Sequence, residues 1–416
     1  MKTNISRRKV LGIMGASAIL PLSVRLSAAP IRNFRIRTIT AGVKLASMDD
    51  MTNLQKAANF LFESRKQYEA MDYEVQTLRI ATQPLAAYCP DWHHCASVDA
   101  IKRLDAFASE HHVIFNIGPV NSAGQESDEF TSWLAEIIAN TENINCSLIV
   151  ASPEMGIDRK AISVAAKIMS AISRSTAGGE GNFRFTANAY CPPGSPFFPA
   201  AYFEDDGFSI GLESADILQQ TFDQTQGMPE ASRQLKVNME AALQPIARHA
   251  EKIAGHTSRP YLGIDTSPAP LLDVSIGRAI ETLSGVPFGR PSTLSACAAI
   301  TDVLKSLDIK SCGYSGLMLP ILEDTTLAAR AMQGTYSVSD LLLFSSVCGT
   351  GLDVVPLPGD VSIRKLEALV SDVAALAKKY SKPLSARLFP VPGKKTGDIV
   401  KFDNPYLTDS VVMNIE

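Results

Sequence analysis

The residue pattern predicts an α/β fold in a single large domain, and two observations carry that prediction. Strand-like and helix-like segments alternate through most of the chain, and parallel strands need such crossover helices to join them. No stretch has the length and composition of an interdomain linker. Residues 30–416 are therefore read as one domain, long enough for a sizeable core and barrel-like in strand number.

The elements follow in order. Phe34 to Thr40 alternates apolar and polar residues as a strand does. Asp49 and Asp50 offer caps for a helix in which Met51, Leu54, Ala58, Leu61, Phe62 and Tyr68 share one face. Tyr73–Thr82, Val113–Ile117, Leu148–Ala151, Phe183–Ala189, Phe208–Glu213 and Tyr261–Asp265 read as further strands. Helices at Val98–Ser109, Thr131–Ala139, Ala161–Ile172 and Pro229–Gly255 separate them. Gly313–Met318 reads as a strand, Val361–Tyr380 as an amphipathic helix and Leu384–Phe389 as the last strand.

Before all of these, Ser6-Arg7-Arg8-Lys9-Val10-Leu11 sets paired arginines ahead of an apolar run from Leu11 to Val24. Small residues follow at Ser27, Ala28 and Ala29. Residues 1–29 read as a twin-arginine signal peptide, the run being too short to anchor in a bilayer. Pro30 makes cleavage after Ala28 an alternative to cleavage after Ala29. The expectation is a periplasmic protein that meets the twin-arginine translocase during export and keeps no stable membrane anchor.

The chain is 46% hydrophobic and 20% charged with a net charge of −4, which gives no basic footprint for nucleic acid. Seven widely spread cysteines are not the dense framework of a small disulfide-stapled domain. Cys89 and Cys95 are the only near neighbours and bracket Trp92, His93 and His94. Their spacing fits no standard zinc pattern, leaving a local disulfide or plain packing.

Four blocks look functional, because ligands in α/β folds bind where strands end. In Ala189-Tyr-Cys-Pro-Pro-Gly-Ser-Pro-Phe-Phe-Pro199 the prolines stiffen a loop carrying Cys191 and Ser195. Glu213 and Asp265 end neighbouring strands, where a carboxylate serves either as a general base or as a helix cap. Cys312-Gly-Tyr-Ser-Gly-Leu-Met-Leu-Pro-Ile-Leu-Glu-Asp324 presents Tyr314 between glycines, but not as a Gly-x-Ser-x-Gly elbow. Ser345-Ser-Val-Cys-Gly-Thr-Gly-Leu-Asp-Val-Val-Pro-Leu-Pro-Gly-Asp360 reads as a loop offering Cys348, Asp353 and Asp360 to one site. A tight turn whose aspartates bond their own backbone is the plainer alternative. Arg387-Leu-Phe-Pro-Val-Pro-Gly-Lys-Lys-Thr-Gly-Asp398 puts Arg387 near a strand end and Lys394 and Lys395 between glycines, a pattern suited to an anion.

Together with Arg37-Thr-Ile-Thr40, these blocks resemble the DUF711 family, whose sister group is the UPF0210 or PFL-like proteins. The likeness runs from Ile36 to about Met413. It implies a ten-stranded α/β barrel of two five-stranded halves, like that of pyruvate formate-lyase and anaerobic ribonucleotide reductase. In those enzymes a loop through the barrel carries a radical cysteine, and Cys348 is the position to compare. The Arg-Val-x-Gly-Tyr motif that stores the radical is missing, and Gly393 and Gly397 lie in the lysine loop instead. The resemblance thus implies the barrel without glycyl-radical chemistry, and names no substrate or cofactor.

The expected function is an enzyme acting on a small polar or anionic molecule in the barrel mouth. Cys348, Asp353, Asp360 and Glu213 are the candidate catalytic groups. Arg37, Cys191, Ser195, Asp265, Tyr314, Arg387, Lys394 and Lys395 are the candidate binding groups. A non-catalytic small-anion-binding protein uses the same site. A metal-dependent hydrolase is disfavoured, since no histidine falls inside the four blocks. Oligomeric state is not legible.

Overall fold

A computed structural model describes residues 34–272 and 274–415. The arginine pair, the apolar run and the cleavage site of the expected signal peptide all lie outside them.

The chain folds as one α/β domain around a large mixed sheet. Its strands are β1 (Arg35–Val43), β2 (Val75–Thr82), β3 (Val113–Pro119), β4 (Ile144–Ser152), β5 (Gly156–Ile157), β6 (Phe185–Ala189), β7 (Gly207–Glu213), β8 (Tyr261–Pro268), β9 (Gly351–Pro358) and β10 (Leu384–Val391). They pair in the order β8-β7-β1-β2-β3-β4-β6-β10-β9, with short β5 turned back on β4. β1, β2, β3, β4 and β6 are mutually parallel. β7 and β10 join that block antiparallel and continue in parallel to β8 and β9. A two-stranded ribbon, β11 (Ile399–Val400) with β12 (Ser410–Val411), stands apart.

The expected barrel is not closed by any ladder among the described residues, because β8 and β9 end the pairing path unpaired with one another. Residues 311–320, expected to hold a strand, form none. They make single parallel bridges instead, Ser311 to Ile264 of β8 and Pro320 to Asp353 of β9. Gly313 (φ 62°) and Ser315 (φ 41°) turn the backbone left-handed there and stop a ladder from propagating. Gly351–Pro358, read from the sequence as a loop, is strand β9. Its prolines are tolerated because it lies at the edge of the path.

Helices pack the outer face of the sheet. The one at Met51–Glu69 starts at Asp50, whose side chain accepts from Asn53 N, and buries Leu54, Ala58, Leu61 and Tyr68. Leu78 and Ile80 of β2 enter the same main core, as do Leu384, Ala386 and Leu388 of β10. Helices that the sequence left unassigned span Ile276–Ser284, Thr293–Lys305, Thr325–Met332 and Val338–Ser345. Asp324 fastens two of them, accepting from Ser275 Oγ (2.7 Å), Ile276 N (2.7 Å), Gly277 N (3.2 Å) and Leu327 N (2.9 Å). No described helix is long and apolar enough to cross a membrane.

The inner face is filled by two of the blocks. Residues 189–200 tuck into it with their carbonyls satisfied by strand side chains: Thr40 Oγ1 donates to Pro196 O (2.9 Å) and Asn116 Nδ2 to Pro199 O (2.8 Å). Residues 312–320 lie beside them and cross the Cys348 turn at two glycines. A Cβ on Gly316 would stand 2.6 Å from Gly349 Cα, so neither position has room for a side chain.

Candidate functional site

A cavity of about 930 Å³ opens on the inner face. Arg37, Arg79, Asp353 and Arg387 of its lining come from strand interiors. In β1 a bulge between Ile36 and Thr38 turns both Arg37 and Thr38 inward, while Ile36 and Ile39 enter the main core. In β2 simple alternation sets Thr77 and Arg79 opposite Leu78 and Ile80. Across the cavity β9 carries an extra residue against β10, with Val354 at φ 44°, and that bulge aims Asp353 at Arg387.

Four arginines line the cavity, Arg37, Arg79, Arg184 and Arg387, and their partners differ: Arg184 donates to Thr141 Oγ1 and to the Ile138 and Ile144 carbonyls. Arg387 Nε donates to Asp353 Oδ1 (2.7 Å) and its Nη2 to Glu323 Oε1 (2.6 Å). Although burial alone would lower its pKa, Asp353 and Glu323 together raise it. Arg37 reaches Glu213 Oε2 and Glu323 Oε2, each at 3.3 Å. Glu323 thus bridges two guanidiniums, and the turn that carries it is pinned by Leu272 N donating to its carbonyl (2.9 Å). Glu213 is 3% exposed and also accepts from Gln76 Nε2 at 2.5 Å. Burial pushes its pKa up, against the pull of Arg37.

Arg79 is the exception. It is 8% exposed, yet no described carboxylate pairs with it. Its Nε donates to Thr77 Oγ1 (3.2 Å), whose own hydroxyl donates to Arg37 O (2.7 Å). Burial first, and then the neighbouring Arg37, depress its pKa to about 9. It remains a cation at neutral pH. Its guanidinium lies over the Phe198 ring (5.1 Å), as Arg387 does over Phe183 (4.8 Å) and Arg37 over Tyr406 (5.5 Å). Each stack fixes the plane of a guanidinium. In Arg79 it leaves the Nη1/Nη2 edge without a described hydrogen bond, the geometry that takes a carboxylate in two contacts.

Polar and apolar residues share the remaining wall. Phe197, Ala200, Ala269, Tyr314 and Met318 belong to a small separate cluster and all line the cavity. Tyr314 Oη donates to Ser385 Oγ (3.0 Å), and burial raises the tyrosine pKa well above its ordinary value. Over the cavity runs the segment 402–408, tied down by Asn404 Nδ2 to Glu180 Oε1 (2.8 Å) and Thr408 N to Leu322 O (2.7 Å).

Of the residues singled out from the sequence, Arg37, Tyr314, Asp353 and Arg387 line this cavity, and Glu213 stands behind Arg37. The others lie elsewhere. Asp265 is fully buried within β8 and clasps the second block, accepting from Tyr314 N (2.8 Å), Ser315 N (2.9 Å), Ser267 N (3.1 Å) and Ser267 Oγ (2.6 Å). Cys191 and Ser195 are buried beneath that loop, and burial pushes the Cys191 thiol up to about 12. Cys348 sits in the main core against Cys297, outside the cavity lining. Asp360, Lys394 and Lys395 are exposed on the surface, where Lys395 N donates to Asp398 Oδ2 (2.7 Å). Cys89 and Cys95 form a disulfide, and no described cluster of His, Cys, Asp and Glu suits a metal.

Sequence reasoning passed over Arg79 and Glu323. The signal for Arg79 was present as a charge inside the apolar run Leu78-Arg79-Ile80 of a strand. Glu323 closed the second block beside Asp324 without a feature of its own.

Comparison with known proteins agrees with the motifs. The chain is 28% identical over 344 residues to a UPF0210 protein of Pyrobaculum aerophilum, covering 78% of this chain and 75% of that relative. It is 24% identical over 401 residues to a UPF0210 protein of Clostridium perfringens (89% and 88%), and 23% identical over 413 residues to one of Carboxydothermus hydrogenoformans (92% and 91%). A family profile described as uncharacterised ACR (DUF711) matches residues 30–404, nearly the whole described fold and every cavity arginine, and the chain belongs to that family.

Proposed function

We propose that this protein holds a small organic anion in the cavity and acts on it as an enzyme, without glycyl-radical chemistry. The observation that carries the binding part is Arg79, a buried guanidinium with a free edge and no carboxylate partner. Burying an unpaired charge is costly, and an anion bound at that edge offsets the cost. The hydroxyl pair Tyr314–Ser385 supports the catalytic part, as the uncharged proton donors in the wall. Cys348 has no access to the cavity, which supports leaving radical transfer out. A non-catalytic anion-binding protein is the second reading. It is favoured by Asp353 and Glu323, both already committed to arginines.

The test is Arg79→Met, a neutral side chain of similar reach. If the charge is kept for a ligand, its removal raises ligand-free stability by about 1 kcal/mol and abolishes binding of a carboxylate probe such as butyrate. A variant that is destabilised and still binds butyrate removes Arg79 from the site. Mass spectrometry of ligand recovered from native protein separates the two readings: an altered molecule supports the enzyme, an unaltered one the binding protein.

The proposal includes closure of the sheet through residues 311–320. What supports it is their single bridges to both β8 and β9, which would complete two five-stranded parallel halves. It also includes export by the twin-arginine route, supported by Ser6-Arg7-Arg8-Lys9-Val10-Leu11 and the apolar run that follows.

A further inference from the structure

Resting on that reading of Arg79, we infer that the ligand is an amphipathic monocarboxylate, with one anionic end and an apolar body. Three observations converge. First, the charge available to a ligand is single. Arg37 and Arg387 are already matched by Glu213, Glu323 and Asp353, and Arg184 spends Nη1 on Thr141 Oγ1 and Ile144 O and Nη2 on Ile138 O, so among the cavity arginines the Arg79 edge is the one left without a described bond. A dianion would carry its second charge towards Glu323 and Asp353 with no second guanidinium edge open to receive it.

Second, one side of the wall near that edge is apolar. Phe198 stacks on Arg79, and Phe197 precedes it in the same proline-rich loop. Beyond them Ala200, Ala269 and Met318 extend the surface. Such a wall facing open space gains from covering by hydrocarbon. The hydroxyls set in it are turned to each other and to backbone: Tyr314 Oη donates to Ser385 Oγ, and Ser385 Oγ to Thr350 O (3.2 Å).

Third, the volume of about 930 Å³ is far larger than an isolated carboxylate needs. It lies within the range that encloses molecules of drug size. Small residues at Ala200 and Ala269 keep that space open where larger side chains would fill it.

The experiment is calorimetric titration of the purified protein with acetate, butyrate, hexanoate, octanoate and succinate. The expected result is a dissociation constant falling about three- to fourfold per added methylene, with succinate bound more weakly than butyrate. Arg79→Met removes binding of the whole series. Ala269→Leu, which fills the wall, flattens the dependence on length; circular dichroism melting confirms that both variants fold. Binding that depends on Arg79 but is indifferent to length overturns the apolar body and leaves the anion reading standing. Tighter binding of succinate than butyrate overturns the single-charge argument. No binding of any acid, or binding that survives Arg79→Met, overturns both.

Discussion

Glu323 is the position where stability and binding should move in opposite directions. Its carboxylate is 7% exposed and accepts from Arg387 at 2.6 Å and from Arg37 at 3.3 Å. Glu323→Gln keeps the shape and one acceptor oxygen but removes the charge and replaces the other oxygen with a donor. Breaking a buried ion pair outright costs about 3–5 kcal/mol. Here Arg387 retains Asp353 and Arg37 retains Glu213, so neither guanidinium is stranded. The long Arg37 contact contributes little, and the short one is a charge-assisted bond worth about 1.5–3 kcal/mol. The net cost is then about 2 kcal/mol. Removing a negative charge beside Arg79 also strengthens the field at its free edge, so affinity for a carboxylate should rise several-fold. Urea denaturation at pH 7 measures the first effect and calorimetric titration with butyrate the second. A variant as stable as the parent within about 0.5 kcal/mol, or one that binds butyrate more weakly, would refute Glu323 as the bridge that both organises the arginines and restrains the anion site.

Other outcomes follow from the same geometry. Asp265→Asn replaces one of the two oxygens that accept from the Tyr314 and Ser315 amides with a donor and should cost about 2–3 kcal/mol; retention of full stability in a melting experiment would show that the second block holds itself in place. Gly316→Ala drives a methyl to 2.6 Å from Gly349 Cα and should destabilise by about 1–3 kcal/mol, with no effect expected only if the two loops part freely. Burial raises the folded-state pKa of Cys146 and Cys191 to about 12, against about 8.5 in the unfolded chain. The stability tied to each protonated thiol is therefore complete below about pH 8.5 and lost as pH climbs towards about 12, by up to about 1.4 kcal/mol per pH unit for each thiol. Under reducing conditions Cys146→Ala should flatten the fall between pH 9 and 11, and an unchanged slope would exclude that thiol as a source. Replacing Arg7 and Arg8 together by lysine should hold the protein in the cytoplasm, as fractionation would reveal; undiminished export would rule out the twin-arginine route.

What the sequence made legible is the layer of the fold governed by periodicity. Alternation in Phe34–Thr40 and the Asp50-capped helix after it are written in local residue choice, and β1 and the helix Met51–Glu69 follow them within a few residues. Gly351–Pro358 was not legible in that way. Two prolines and a glycine signal a loop, and only the edge position of β9 permits the prolines in a strand. Cys348 drew notice because it stands before two glycines. Gly349 serves a backbone crossing with Gly316 and Gly351 a close approach to the Ser385 backbone, contacts between segments more than thirty residues apart that no local pattern announces.

The same reasoning explains why half of the cavity was anticipated and half missed. Looking for ligand groups where strands end is sound for side chains carried on loops, but Arg37, Arg79, Asp353 and Arg387 lie within strands. Bulges on β1 and β9 turn two of these side chains inward, and a bulge depends on which partner strand carries the extra residue. Register of that kind belongs to pairs of strands and is absent from either sequence alone. Arg79 needs no bulge. A lone arginine between Leu78 and Ile80, on a strand buried from both sides, has few ways to satisfy its charge. In a strand with partners on both edges, such a residue is either neutralised by a carboxylate from another element or kept for a ligand. Arg387 meets the first condition and Arg79 the second, and that difference rather than the count of arginines is the ground for proposing the anion site at Arg79.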